Sequence, residues 1–378
     1  MQIANGTIVT QDTLLNGATI TVEGDRIVSI SALDGDPANA IDLGGGWLVP
    51  GFIDTQVNGG GGVLLNDQPT VDGIAAIGAA HAPYGTTAFM PTLISDTPDV
   101  IEATLDAMDA AILAGVPGVV GAHIEGPCIN VLRKGIHDPA KFRLLDEAMI
   151  ELLIRPRKGR VMVTLAPELT DSASIARLVT GGVIVSAGHT DADYETIVEA
   201  VGAGLTGITH LFNAMSPLLH RAPGVVGAAL DDRLVYCGLI ADGLHVHDAA
   251  LRLAMNARPH DRLMLVSDAM PSVGAVDKDF RLQGRLIHVE DGKCFGEDGT
   301  LAGSDLDMAG AVRNLVARTH ADVPTAARMA ATNPAAFLGL RHERGALATG
   351  LRADWVALTA DLRPAGTWIG GQLVAGRT

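Results

Sequence analysis

Apolar runs alternate with helix-like stretches through most of this chain. Stretches such as DEAMIELLIRP and DADYETIVEAV carry apolar residues at helical spacing and separate most of the runs. Because the runs are continuously apolar, they are typical of strands buried on both faces of a parallel sheet. Eight runs show this pattern: LVPGFIDTQVN, TTAFMPTL, VVGAHIEG, RVMVTLAPE, VIVSAGHT, GITHLFN, LVYCGLIADGLHV and LMLVSDAM. Eight βα units over roughly 220 residues predict an α/β fold, a closed (β/α)8 barrel of the TIM type.

The alternative architecture is a doubly wound open sheet, but no GxGxxG motif follows an early strand. Within the barrel pattern, a Gly- and Asp-rich stretch near 280–303 predicts a β-hairpin insertion after the eighth strand. Two further helices, around 308–319 and 325–338, are expected to complete the barrel.

The two ends of the chain have a different texture. Residues 1–49 are rich in β-branched residues and are interrupted by NG, NG and GD, which favour tight hairpins. Residues 345–378 repeat this texture, with Gly, Asp and Pro between short apolar runs. We therefore expect both ends to pair into one small β-sandwich domain, with the barrel occupying residues 50–344.

Composition narrows the classes of partner. A formal net charge of -16 argues against nucleic acid and anionic membranes, since both usually bind a basic face. The three cysteines lack a CxxC pair, so a disulfide framework has little support and a reducing compartment fits better. The first residues, MQIANGTIVTQD, show no signal-peptide pattern, and no apolar run is long enough for a membrane span. We expect a cytoplasmic protein.

Polar residues that close the apolar runs are the candidates for chemistry, because the carboxyl ends of barrel strands form the reaction face. Glu125, His189 and His210 come from three different runs, and one carboxylate with two imidazoles is the composition of an open catalytic zinc site. The alternative is that these are ordinary polar residues satisfied at strand ends. The full set of run-closing residues is Gln56, Asn58, Glu125, Glu168, His189, His210, His245 and Asp268.

Several motifs in one order resemble a known family. The segments are PGFIDTQVNGGGG, HIEGP, KGIHDP, SAGHT, THLFNAM, RAPGVVGAALDD, ADGLHV, LVSDAM and LAGSDLDM. Together they resemble the N-acetylglucosamine-6-phosphate deacetylases of the amidohydrolase superfamily over nearly the whole chain. Many amidohydrolases carry an HxH pair after the first strand, and here Gln56 and Asn58 occupy that place. Neutral amides are poor metal ligands, so we interpret this pair as a vestigial second-metal position and expect one divalent ion.

The resemblance implies hydrolysis of the acetamide of N-acetyl-D-glucosamine 6-phosphate to D-glucosamine 6-phosphate and acetate. It implies that Glu125, His189 and His210 hold the ion, most simply zinc, although iron, cobalt or manganese also suit such ligands. Asp268 is then the general base, which takes a proton from water and returns it to the departing amine. His137 is implied to polarise the acetyl carbonyl and to contact the sugar. The simpler alternatives are a helix N-cap for Asp268 and a solvated loop residue for His137.

Further residues are implied to bind the phosphorylated hexosamine. His245 and Arg221 match phosphate-binding positions, and Arg221 is implied to reach into a neighbouring subunit, which would make the protein a homodimer; alone, Arg221 is typical of a surface residue. Cys128 departs from the family pattern, where a bulkier residue is common, and is interpreted as a small buried thiol; the alternative is a regulatory or inhibitory role. The remaining substrate-binding candidates are Asn213, Ala214 and Ser304.

Three other functions stay open. The same chemistry on N-acetylgalactosamine 6-phosphate differs only in contacts to one hydroxyl. Another amidohydrolase, such as a cyclic-amide hydrolase, is disfavoured because the fourth run ends in Glu168 instead of a carbamylated lysine. A catalytically inactive amidohydrolase-fold scaffold is disfavoured because such proteins usually lose ligands, and the candidate ligands are all present here.

Overall fold

A computed structural model describes residues 1–33 and 40–376 of the chain. The N-terminal strands form an antiparallel meander in which β1 pairs with β2 and β2 with β3, as the hairpin signals predict. The first strand also pairs in parallel with β4 and β5, which the sequence does not reveal. The bounds are β1 Gln2–Val9, β2 Leu14–Glu23, β3 Arg26–Ala32, β4 Ile41–Asp42 and β5 Trp47–Pro50.

Eight parallel strands follow within the described residues and are hydrogen-bonded in chain order. They are almost entirely buried, as expected for strands covered on both faces. A short hairpin, β7 Gly59–Gly60 with β8 Val63–Leu64, lies between the first two. The parallel strands are β6 Phe52–Val57, β9 Thr86–Ile94, β10 Gly121–Glu125, β11 Arg160–Leu165, β12 Ile184–Ala187, β13 Gly207–Ile208, β14 Tyr236–Leu239 and β15 Leu263–Leu265.

The ring closes just beyond the end of β15. The Asp268 N–H donates to the Gln56 carbonyl over 3.0 Å, and the Asn58 N–H donates to the Ala269 carbonyl over 2.9 Å. These bonds join the segment after the eighth strand to the end of the first. The predicted (β/α)8 barrel is therefore confirmed, and the open-sheet alternative is wrong.

Three of the helices between the described strands begin at acidic caps that the sequence supplies. Asp146, Asp171 and Asp193 each accept a hydrogen bond from a backbone N–H in the first turn of the helix that follows. Each of these helices buries its apolar stripe on the strands and leaves its charged face in solvent. The bounds are α1 Val71–His81, α2 Pro98–Leu113, α3 Glu147–Leu153, α4 Ser172–Thr180, α5 Tyr194–Gly202, α6 Gly224–Asp231 and α7 Asp248–Ala257.

Where the sequence predicts a β-hairpin insertion, the structure has a four-stranded antiparallel sheet among its described residues. Leu282, Ile287 and Cys294 of this sheet pack against Ile94 and Ile136, so the sheet lies on one side of the barrel mouth. The strands are β16 Phe280–Leu282, β17 Arg285–Glu290, β18 Lys293–Gly296 and β19 Leu301–Ser304.

The last helices lie close to their predicted places. The first, α8 Met308–Arg318, corresponds to the helix expected around 308–319. The second expected helix is divided into α9 Val323–Ala327, a π-helical turn Arg328–Thr332 and α10 Asn333–Phe337. Pro334 has no N–H for a normal helical bond, and a widened turn before it accommodates the loss.

The chain ends by returning to the first sheet through β20 Trp355–Leu358, β21 Pro364–Ile369 and β22 Gln372–Gly376. β20 pairs with β5, so both chain ends share one sheet, as predicted. The exact limits of the small domain stay a prediction, and residues 34–39 and 377–378 within it lie outside the described residues. In the described part of the chain, no helix combines the length and apolar character that a bilayer crossing requires.

Candidate active site

The candidate site is built on strand ends that meet at one face of the barrel. Glu125 is the last residue of β10, His189 and His210 follow β12 and β13, and Asp268 follows β15. The last three have φ values of 49°, 34° and 53°, in the left-handed region that side-chain-bearing residues rarely adopt. The backbone therefore turns sharply at each of these residues as it leaves its strand.

We call Glu125, His189 and His210 the cation corner. One donor atom from each residue lies within 4.8 Å of the other two, and all three residues are buried. The Nε2 atoms of His189 and His210 are 3.1 Å apart, and the Nε2 of His210 is 3.0 Å from the Oε1 of Glu125. The Nδ1 of His189 donates to the Arg133 carbonyl over 2.8 Å, which leaves its Nε2 lone pair facing the cluster.

The electrostatics of this corner favour a positive ion. Burial alone would raise the pKa of Glu125, but its interactions with His189 and His210 outweigh burial and hold that pKa well below its usual range. Burial would lower the pKa of His210, but the Glu125 carboxylate outweighs burial and raises it. A field that favours a proton between these groups also favours a divalent cation, and a carboxylate with two imidazoles is a donor set that such an ion accepts.

Asp268 with Gln56 and Asn58 forms a second group, which we call the carboxylate corner. The side-chain amides of Asn58 and Gln56 donate to Asp268 Oδ1 over 2.7 Å and 3.1 Å. The same Gln56 amide donates to Glu125 Oε1 over 3.0 Å and so joins the two corners. Burial, and then the charge of Glu125, raises the pKa of Asp268 to about 6. The amides of the first strand thus bind carboxylates here.

His137 lies beside the cation corner on the loop after β10. Its ring centroid is 4.4 Å from that of His189, and the residue is 2% exposed. Burial, followed by the neighbouring His189, holds the pKa of His137 well below its usual range, so the ring is neutral. Its Nδ1 lies 3.3 Å from the Ser95 backbone nitrogen and 2.7 Å from Ser95 Oγ.

Both corners and His137 open into a cavity of about 390 Å³. Asn213, Ala214 and His245 line it, and Asp242 Oδ2 lies 2.6 Å from the Nδ1 of His245. On one side the wall comes from the inserted sheet. The lining residues that sequence reasoning did not predict include Ile94, Leu132, Arg133, Gly135, Ile136, Met270, Thr300, Leu301 and Gly303.

Two predicted substrate-binding residues lie elsewhere in this chain. Arg221 is exposed on the loop before α6 and does not line the cavity. Ser304 is fully buried, and its hydroxyl donates to the Ser267 carbonyl over 2.5 Å. Its neighbour Gly303 lines the cavity instead, at a φ of 55°, where a Cβ would lie 2.8 Å from the Asp268 carbonyl oxygen. Ser304 therefore supports the Asp268 segment from below.

Other polar residues near the site have structural partners. Glu168 accepts hydrogen bonds from Asn130 and from the Asp191 N–H. His247 caps α7, as expected for a residue that opens the following helix. Cys128 is buried, and burial raises the pKa of its thiol to about 12, which fits an inert packed residue.

Comparison of the whole chain with known proteins identifies a family and several relatives. The family model described as the amidohydrolase family matches residues 47–374. An N-acetylgalactosamine-6-phosphate deacetylase of Shewanella sp. (strain ANA-3) is 41% identical over 379 residues, which cover 99% of this chain and 96% of that protein. An N-acetylglucosamine-6-phosphate deacetylase of Homo sapiens is 39% identical over 349 residues, which cover 88% of this chain and 84% of the human protein.

A solved structure shows the same arrangement of the chain. It is a mutant N-acetyl-D-glucosamine-6-phosphate deacetylase from Mycobacterium smegmatis in complex with N-acetyl-D-glucosamine-6-phosphate. The two chains are 34% identical, superpose with a TM-score of 0.90, and are each covered to 99%. Similarity of this extent includes both the barrel and the sheet formed by the chain ends.

Proposed function

The chain belongs to the amidohydrolase family, and from that membership we propose that it hydrolyses the acetamide of N-acetyl-D-glucosamine 6-phosphate. Water is consumed, the amide C–N bond breaks, and the products are acetate and D-glucosamine 6-phosphate. The observation that carries the proposal is the meeting of the cation corner and Asp268 in one cavity, in a chain whose relatives are named as deacetylases of this class.

Glu125, His189 and His210 would hold one divalent cation, for which we propose zinc; iron, cobalt and manganese accept the same donors. When bound, such an ion lowers the pKa of water and polarises a carbonyl oxygen. Gln56 and Asn58 are occupied with carboxylates, which supports a single ion.

Asp268 is the proposed general base and acid. Its amide partners bind Oδ1, and its pKa of about 6 lies close enough to neutrality for a proton to move both ways. Asp268 takes a proton from the attacking water and later delivers it to the nitrogen, because an amine leaves only after protonation. His137 donates through Nε2 to the acetyl oxygen, where negative charge develops in the transition state.

The sugar phosphate is proposed to lie at the His245 end of the cavity. His245, Asn213 and Ala214 line the cavity, and an imidazole with an amide side chain suits phosphate oxygens. Arg221 is proposed to complete the site from a second subunit of a homodimer. Its exposed loop also carries Leu218 and Leu219, which are 55% and 56% exposed in the single chain.

Buried cysteines without a disulfide support a cytoplasmic location.

The galactosamine epimer is the second candidate substrate. The relative named for N-acetylgalactosamine 6-phosphate is 41% identical, against 39% for the human glucosamine relative. Both activities use the same carboxylates and imidazoles and differ only in contacts to the sugar 4-hydroxyl. An inactive scaffold is disfavoured because the proposed ligands and Asp268 are all in place.

Acetate release from the two 6-phosphorylated epimers and from unphosphorylated N-acetylglucosamine tests the proposal. We expect the glucosamine epimer to react fastest and removal of phosphate to lower kcat/KM by about 10-fold or more, since charge-assisted hydrogen bonds are lost. Faster turnover of the galactosamine epimer would favour the second candidate, and equal rates without phosphate would contradict the role of His245. A protein with neither bound divalent ion nor acetate release would be a scaffold.

A further inference from the structure

Ser95 is a polar residue beside the site that the mechanism above does not use. It follows β9, is 1% exposed, and contacts His137 twice through the same ring nitrogen. The Ser95 backbone N–H points at His137 Nδ1 over 3.3 Å, and Ser95 Oγ lies 2.7 Å from that atom.

These contacts decide where the ring carries its proton. A backbone N–H can only donate, so His137 Nδ1 must offer a lone pair to it. The hydroxyl then donates to the same atom, and the proton of the neutral ring lies on Nε2. In the opposite tautomer, Nδ1–H would meet the Ser95 N–H, and the ring would present an acceptor to the cavity.

Ser95 is itself held on two other sides. Its carbonyl accepts a hydrogen bond from the Gln283 side chain over 2.9 Å, and Gln283 lies in the β16–β17 turn of the inserted sheet. The hydroxyl lies against Gly126, which has a φ of 83° and where a Cβ would lie 2.3 Å from Ser95 Oγ. The hydroxyl thus occupies space that a side chain at position 126 would fill.

We propose that Ser95 is a positioning residue that fixes the tautomer and orientation of His137, so that Nε2–H is aimed at the acetyl oxygen. The proposal rests on the proposed deacetylase function for its kinetic consequence, but its structural content concerns His137 alone. Ser95 touches no substrate in this scheme and acts only through the imidazole.

The kinetic test compares Ser95→Ala with Ser95→Thr, which keeps the hydroxyl. We expect Ser95→Ala to lower kcat by about 10-fold with less than a twofold change in KM, because the donor is needed most when charge develops on the oxygen. Ser95→Thr is expected to recover most of kcat. The matched control is Ser272→Ala, which removes a buried hydroxyl that contacts Cys294 over 3.7 Å, and it is expected to keep kcat.

The structural test needs no turnover. Long-range 1H–15N spectra of protein labelled with 15N-histidine distinguish protonated from unprotonated ring nitrogens, and His137→Gln assigns the signals. The wild-type ring should carry its proton on Nε2. Ser95→Ala keeps the backbone N–H and therefore the same tautomer, but loss of the hydroxyl contact should shift or broaden the Nδ1 signal, and Ser95→Thr should restore it. Thermal unfolding of each variant confirms that it folds.

A proton on Nδ1 in the wild-type protein would overturn the proposal, as would a Ser95→Ala variant with unchanged kcat and unchanged spectra. If the wild-type protein releases no acetate from either phosphorylated sugar, the proposed function fails, while the nitrogen spectra still decide the role of Ser95. The two ideas can thus fail separately.

Discussion

The cation corner and the carboxylate corner share one cavity but treat a carboxyl group in opposite ways. In the cation corner two imidazoles hold the pKa of Glu125 well below its usual range. In the carboxylate corner burial and the charge of Glu125 raise the pKa of Asp268 to about 6, although two amides donate to it. The difference shows that the surroundings of a carboxyl group determine its chemical role. Glu125 stays ionised, whereas Asp268 can exchange a proton near neutral pH.

Asp268→Asn breaks the carboxylate corner and leaves the cation corner intact, and it should have the largest effect. We expect kcat to fall by about 10³-fold, since a general acid-base residue contributes roughly that much. Metal content measured by plasma emission should stay at the wild-type level. The exposed Asp12→Asn variant is the matched control and should keep full activity. An active Asp268→Asn variant would move the base to another residue.

Glu125→Gln removes the negative charge from the cation corner. We expect loss of most of the bound divalent ion and a decrease in turnover of about 100-fold in metal-depleted buffer, partly restored by added ion, because the anionic ligand is gone. Glu195→Gln is the control, since that carboxyl is exposed on α5 and should not affect ion content. Metal analysis before and after dialysis against a chelator measures both. Full ion content in Glu125→Gln would contradict the ligand assignment.

Asn58→Ala changes the carboxylate corner without removing its carboxyl group, and its effect on activity should be the smallest of the three. The Asn58 amide lowers the pKa of Asp268, so its removal should raise that pKa further and shift the acid limb of the kcat/KM profile to higher pH. The shift should be about one pH unit or less, since a hydrogen bond to a charged group is worth about 1.5 kcal/mol. Exposed Asn256→Ala should leave the profile unchanged. A shift to lower pH would show that the amide does not stabilise the carboxylate.

The parts of the molecule that sequence predicts are those fixed by topology. Glu125, His189 and His210 can be grouped from the sequence alone, because the carboxyl ends of parallel barrel strands meet at one face. Ser95 cannot be identified in this way, since its role depends on where a distant loop brings His137. The sequence also does not reveal which of two neighbouring residues faces the cavity. Ser304 is predicted to do so, but Gly303 lines the cavity instead.

The same limit applies to the fold. Continuous apolar runs predict the barrel, yet no pattern in the sequence indicates that β1 pairs in parallel with β5 beyond the intervening hairpins. The π-helical turn before Pro334 likewise reflects packing against neighbouring elements as well as the proline itself.

The left-handed backbone at His189, His210 and Asp268 has a consequence for engineering. Each such residue costs about 1 kcal/mol or more, and glycine would relieve that cost. Glycine would also leave a cavity in place of a buried side chain, so selection for heat tolerance alone should favour uncharged residues of similar volume that accept this backbone, such as asparagine, and only a simultaneous screen for catalysis would retain the imidazoles and the acid. Stability and catalytic activity therefore place opposite requirements on the same three residues.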